Sequence, residues 1–439
     1  MKRIALANLI QWKNKNGRKP LVIRGARQVG KTWLMKEFAR QEYPQCAYLN
    51  FESSPHLRNL FVTDFNVQRI LTAISIEVGF MPSVGDTLIV LDEIQEAEGG
   101  LTALKYLYEN APKYHVMAAG SLLGVAIGNK TSFPVGKIDF LDLYPLTFME
   151  FLEATGDQSL VQLIAQSDWQ TVTLFKAKLI ERLKQYYFVG GMPEVVKAFI
   201  KEPDFKNIRE IQRNLLNAYE QDFSKHAPNA VVPRIRMLWN AIPVQLGKEN
   251  KKFIYGLIRK GARAKEYEQA INWLVDCGLI HKVYNTSKAA MPLKAYQDLK
   301  SFKLYLLDVG LLGAMAGLDA RTILLGNEMF TEFNGALTEQ YVLQQLLLEN
   351  IDGIYYWSPQ NAQAEVDFII QLEGKVVPVE VKAEENLQAK SLKVFQEKFN
   401  PSVSIKTSMT DFRINGKLIN LPLYAVSLLY SLIESADTR

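Results

Sequence analysis

The first strong pattern in the chain is a change of period. Leu21-Val22-Ile23 is a continuous apolar run, residues 25 to 32 are mostly small or polar, and Trp33, Leu34, Met35 and Phe38 then follow at helical spacing. That order predicts a buried strand, a glycine turn and a helix. Thr87-Leu88-Ile89-Val90-Leu91 is a second aliphatic run, long enough for a strand buried on both faces, and it ends in Asp92-Glu93. His115 to Ala119 predicts a third strand, which emerges at Gly120-Ser121. Between Arg182 and Phe199 the apolar positions are helical on both sides of Gly190-Gly191-Met192-Pro193, where a break is expected. Ala264 to Leu274 predicts a helix that stops at Gly278, ahead of the strand-like Leu279 to Val283. Near the C-terminus the period becomes two. Val366, Phe368 and Ile370 form one apolar face, and Val377, Val379 and Val381 another.

Composition narrows the class. At 439 residues the chain exceeds a single core, so two or three domains are expected. With 48% hydrophobic and 22% charged residues, extensive disorder is excluded. The longest apolar stretch, Phe302 to Leu318, carries Lys303 and Asp308 and reads as a buried element, so no contact with a membrane is expected. The basic and then apolar N-terminus lacks a small-residue cleavage site, and Cys46 and Cys277 are too few for a disulfide framework or zinc cluster. A cytoplasmic protein is expected. The net charge of +5 permits nucleic-acid contact without requiring it, and the four histidines are scattered singly.

The segment Gly25-Ala26-Arg27-Gln28-Val29-Gly30-Lys31-Thr32 carries the clearest chemistry. Its glycines let backbone N–H groups wrap phosphates at a helix N-terminus. Lys31 is expected to reach the β- and γ-phosphates of ATP, and Thr32 to place its hydroxyl on Mg²⁺. Asp92, at the end of an aliphatic strand, suits the Mg²⁺ shell; Glu93 suits polarisation of an attacking water. Ser121 is placed to sense the γ-phosphate. Basic residues between Lys248 and Lys265 (Lys251, Lys252, Arg259, Lys260, Arg263), in a helix, helix, strand order, are compatible with DNA or RNA phosphates or with a polar domain spacer.

In the C-terminal alternating segments, Glu373-Gly374 suits a two-residue hairpin turn. Paired residues then sum to 747, which sets Asp367 opposite Glu380 and Glu365 opposite Lys382. Facing carboxylates repel unless a cation such as Mg²⁺ or Mn²⁺ bridges them, and Lys382 could act on phosphate beside it. Upstream, Leu337, Tyr341, Val342, Gln345 and Leu346 are helically spaced, and Glu339 in the same stretch offers a third carboxylate.

These runs resemble the prokaryotic AAA+ ATPases whose C-terminal half is the domain of unknown function DUF4143. The likeness rests on GARQVGKT, on LIVLDEIQ from Leu88 to Gln95, on AAGSLLG around Ser121, on Phe133 to Leu152 and on Tyr187 to Val196, and covers nearly the whole chain. It implies an ATP·Mg²⁺ site at the residues above. Glu339, Asp367, Glu380 and Lys382 are similar to the PD-(D/E)XK nuclease core, with Val366 where that motif has proline. An arginine finger is not assigned, because Lys137 lacks the bidentate fork of arginine. The expected architecture is α/β: a P-loop ATPase core at 1–155, a helical lid at 156–225, a winged-helix-like segment at 226–325 and a restriction-endonuclease-like α/β domain at 326–439. Two functions are open: an ATPase controlling a nuclease-like domain on nucleic acid, or a nucleotide-switched module that only binds DNA or protein. An oligomer is compatible with either.

Overall fold

The computed structural model describes residues 1–120, 135–248, 251–325, 331–348, 353–359, 364–384 and 389–435. The chain divides into two compact units, one of Met1–Pro145 with Asp276–Leu279, the other of Leu146–Val275 with Ile280–Arg439.

Among the described residues the first unit is built on five parallel strands: β1 (Leu21–Arg24), β2 (Gln45–Asn50), β3 (Thr87–Asp92), β4 (His115–Ala119) and β5 (Asp139–Asp142), in the order β2-β3-β4-β1-β5. β3 is buried throughout, as a strand covered on both faces requires. Helices Ala5–Asn14, Lys31–Glu42, Val67–Val78 and Gly100–Asn110 connect or flank the strands. The third is bounded by its sequence: Asn66 accepts the Arg69 N–H at its start, and Gly79 at φ 81° ends it. Register places Ile23 beside Ala119, Ala119 beside Asp92, and Asp92 beside Asn50. The carboxyl ends therefore finish level, and β4 stands between the glycine-loop strand and the acidic strand. In open parallel sheets this edge is where ligands bind.

The second unit opens with helices, among them Phe148–Ala154, Lys176–Val189, Pro193–Lys201, Phe205–His226 and Val232–Leu246. The expected break falls at residues 190–192, and packing explains its two glycines. Gly190 has φ 74° and a Cβ there would lie 2.1 Å from Asp308 Oδ1; a Cβ on Gly191 would lie 2.1 Å from the Leu146 carbonyl oxygen. Asp308 is fully buried, accepts the Gly191 N–H at 2.6 Å and caps helix Val309–Met315 through the Leu311 N–H at 3.0 Å.

Among the described residues the sheet of this unit has eight strands: β6 (Ile280–Thr286), β7 (Gln297–Leu306), β8 (Ile354–Trp357), β9 (Val366–Leu372), β10 (Lys375–Val381), β11 (Ser404–Ser408), β12 (Arg413–Asn415) and β13 (Leu418–Pro422). Their order is β12-β13-β11-β10-β9-β8-β6-β7. Two expectations change here. The β6–β7 hairpin, read as part of a separate segment at 226–325, does not stand alone as a wing. β8 pairs with β6 through Tyr284↔Tyr355 and Asn285↔Tyr356, so the sheet runs across the boundary drawn at 325. The β9–β10 register does sum to 747, from Lys375↔Leu372 to Val379↔Phe368, and Glu373 and Gly374 turn with φ 46° and 71°. Its second face is not open, however: Val366 to Ile370 and Val377 to Val381 are all buried. The helix Thr331–Leu346 packs on β10, which is why the charged face is also interior.

Candidate functional site

At the carboxyl edge of the parallel sheet the glycine loop joins β1 to the helix Lys31–Glu42. Gly25 has φ 141° and a Cβ would lie 2.2 Å from the Leu143 carbonyl oxygen, so no other residue fits. Gln28 and Gly30 also turn with positive φ, 65° and 97°. The Lys31 ammonium is buried in the loop, donating to the carbonyls of Gly25 at 2.9 Å and Ala26 at 2.8 Å. Burial pushes it down to about 8, against the pull of Glu93 and Asp92. The Thr32 hydroxyl donates to Asp92 Oδ2 at 2.7 Å, although β4 stands between β3, which carries Asp92, and β1, which leads into the Thr32 helix.

Asp92 is fully buried and also accepts the Tyr48 hydroxyl at 2.8 Å. Glu93 sits in the left-handed region, φ 51°, where the backbone leaves the strand, and its Oε2 takes the Gln95 amide at 2.6 Å. The structure thus brings together Gly25, Ala26, Val29, Gly30, Lys31, Thr32, Asp92 and Glu93. Arg27 points to Glu52, 3.8 Å away, and Ser121 lies outside the described residues. Three features had no evident sequence signal. Arg3 is 4% exposed and its guanidinium donates to the carbonyls of Val29 at 3.0 Å and Tyr144 at 2.6 Å. Tyr48 is the second, and Gly278, whose Cβ would lie 3.2 Å from the Ala26 nitrogen, is the third.

In the second unit the hairpin residues meet a buried charge cluster. Asp367 is 8% exposed and accepts the Val381 N–H at 2.8 Å; Glu380 is 2% exposed and takes the Lys382 ammonium at 2.6 Å. Glu339 lies beside them, ion-paired to Lys251 and accepting the Tyr305 hydroxyl at 3.2 Å. Lys303, wholly buried, lies 2.5 Å from Glu365. Burial, with Glu339 and Glu380 close by, holds the Asp367 carboxyl well above the usual carboxylate range. Burial also raises Glu339, but Lys251 and Lys303 outweigh it and hold that group low.

The donor types suit a divalent cation, but the arrangement does not. Among the described residues no group of three His, Cys, Asp or Glu side chains is placed to hold a metal ion. Lys251, expected with the phosphate-facing basic residues, is turned inward instead; Lys248, Lys252, Arg259, Lys260, Arg263 and Lys265 are exposed. Among the described residues no helix is long and apolar enough to cross a membrane.

Comparison with known proteins gives three family matches along the chain. The family model for an AAA domain matches residues 17–152, a domain of unknown function (DUF8612) matches 180–322, and a domain of unknown function (DUF4143) matches 334–425. An uncharacterized protein of Haemophilus influenzae is 28% identical over 206 residues, a match spanning 44% of this chain and 44% of that protein. Among solved structures, the Walker-type ATPase of Pyrococcus abyssi shares 15% identity at TM-score 0.44, covering 72% of this chain and 95% of its own. The Aeropyrum pernix ORC1 protein in complex with DNA shares 13% at TM-score 0.27, covering 71% and 91%. The chain therefore carries a P-loop ATPase domain of the AAA type at residues 17–152 and a DUF4143 domain at residues 334–425.

Proposed function

We propose that the protein hydrolyses ATP with Mg²⁺ and that its nucleotide state governs binding by the C-terminal half. The observation that carries the reading is the Thr32–Asp92 hydrogen bond of 2.7 Å, beside a loop that already cradles Lys31. In this account the loop N–H groups and Lys31 hold the β- and γ-phosphates, and Thr32 and Asp92 hold the Mg²⁺ shell. Magnesium supplies charge neutralisation on the phosphates. Glu93 orients the attacking water, with Gln95 fixing its carboxylate; Ser121, by its place after β4, senses the γ-phosphate.

For residues 334–425 the arrangement favours binding over cleavage, because three of the four carboxylates, Glu339, Glu365 and Glu380, are already ion-paired with lysine amines. The exposed basic residues from Lys248 to Lys265 suit phosphates of DNA or RNA. Cleavage by Asp367, Glu380 and Lys382, with Glu339 sharing Mg²⁺ or Mn²⁺, is the competing reading; it draws on the closeness of Asp367 and Glu380 within the hairpin. One preparation tests both. Glu93→Gln should keep ATP binding and lower turnover by roughly 100-fold or more. The wild type, incubated with duplex and single-stranded DNA and RNA, with either metal and with or without ATP, should retain nucleic acid uncut. Cleavage that Asp367→Asn abolishes would establish the competing reading.

A further inference from the structure

The charge cluster of the second unit draws more residues than its hairpin supplies. Four acids (Glu339, Glu365, Asp367, Glu380) stand with three amines (Lys251, Lys303, Lys382). Lys303 is the least accessible of the amines, with no exposure, and comes from β7, outside the residues matched to DUF4143. Its ammonium lies 2.5 Å from Glu365 Oε1, 3.8 Å from Glu339 Oε2 and 4.9 Å from the centre of the Tyr356 ring.

An ammonium this deep is stable only if carboxylates repay its lost hydration, and here several do. The same pairing engages most of the oxygens that a metal would need, and leaves Glu380 Oε2 buried without a hydrogen-bond partner. Glu339 gives one oxygen to Lys251 and the other to Tyr305, Glu380 gives Oε1 to Lys382, and Asp367 gives Oδ2 to the Val381 N–H. Mg²⁺ demands a near-octahedral shell of oxygens, and a dication beside a dry ammonium is repelled.

We infer that Lys303 is the resident cation of this centre: its ammonium, set among Glu365, Glu339 and Asp367, performs the charge balance of a divalent metal, so the wild-type centre takes neither Mg²⁺ nor Mn²⁺, and removing that amine opens the centre to metal. This deepens the binding reading of residues 334–425 and rests on it, but the two fail separately.

The test is thermal melting of the full-length, nucleotide-free protein with and without Mn²⁺. Wild type should shift by less than about 1 °C. Lys303→Met should melt lower than wild type without metal and regain roughly 4 °C or more with saturating Mn²⁺, a gain that adding Asp367→Asn removes. If Lys303→Met yields no soluble protein, Lys303→Gln, which removes the charge and keeps a polar end, is judged by the same two readings. A wild-type shift that Asp367→Asn abolishes overturns the inference, as does a lysine-deleted variant that ignores Mn²⁺. Wild type that binds Mn²⁺ yet leaves every nucleic acid uncut would sink the inference alone and leave the binding reading standing.

Discussion

At the scale of single residues, the first unit places charged and polar groups where burial sets their protonation. His115 opens β4 and shares a 2.6 Å hydrogen bond between its Nδ1 and the Tyr43 hydroxyl. Burial, then Arg18 and Lys13, push it down to about 4 from an ordinary 6.5. The folded state therefore favours the neutral ring. As pH falls from 6.5 towards 4, the unfolded chain takes a proton that the folded chain refuses, so this stabilisation is full above 6.5 and is lost across that window. Removing the ring should remove the dependence. The melting advantage of wild type over His115→Gln should shrink as pH falls from 7.5 to 5; parallel melting curves would contradict the assignment. Nothing in the sequence marked this histidine, because a single imidazole acquires its environment from Tyr43, Arg18 and Lys13, all distant in the chain.

Elements show the opposite balance. The glycine loop and its strand, β3 with its acidic end, and β4 all follow from short-range periodicity, as does the turn at Glu373-Gly374. Local patterns suffice where the chain's own neighbours determine the geometry. The helix break at residues 190–192 was also legible, but its cause was not: it makes room for Asp308, more than 100 residues away. Two substitutions separate these contributions. Gly156→Ala, at φ 88° with open space around the new Cβ, should cost about 1 kcal/mol for the backbone alone. Gly190→Ala, at φ 74° and against Asp308, should cost roughly 3 kcal/mol or more. Denaturant melts that place the two variants together would show that Asp308 yields at little cost.

For the whole molecule, the two units differ in how far sequence could reach. The first is a parallel sheet with Gly25 to Thr32 and Asp92-Glu93 in motifs that name them, whereas Arg3, Tyr48 and Gly278 join the site without such a signal. The second gathers β6 and β7 into a sheet with strands from Ile354 to Pro422, and its charge cluster takes Lys251 and Lys303 from outside the hairpin. Lys303 was visible as a charge inside an apolar run, but pairing between distant strands decides which carboxylates it meets, and periodicity carries no information about that. Calorimetric titration of ATP·Mg²⁺ into wild type and Lys31→Ala decides the nucleotide site. Wild type should show a single saturable site and Lys31→Ala one at least roughly tenfold weaker, since the lost ammonium pairs with phosphate. No binding to wild type, or equal affinity in the two proteins, would contradict it.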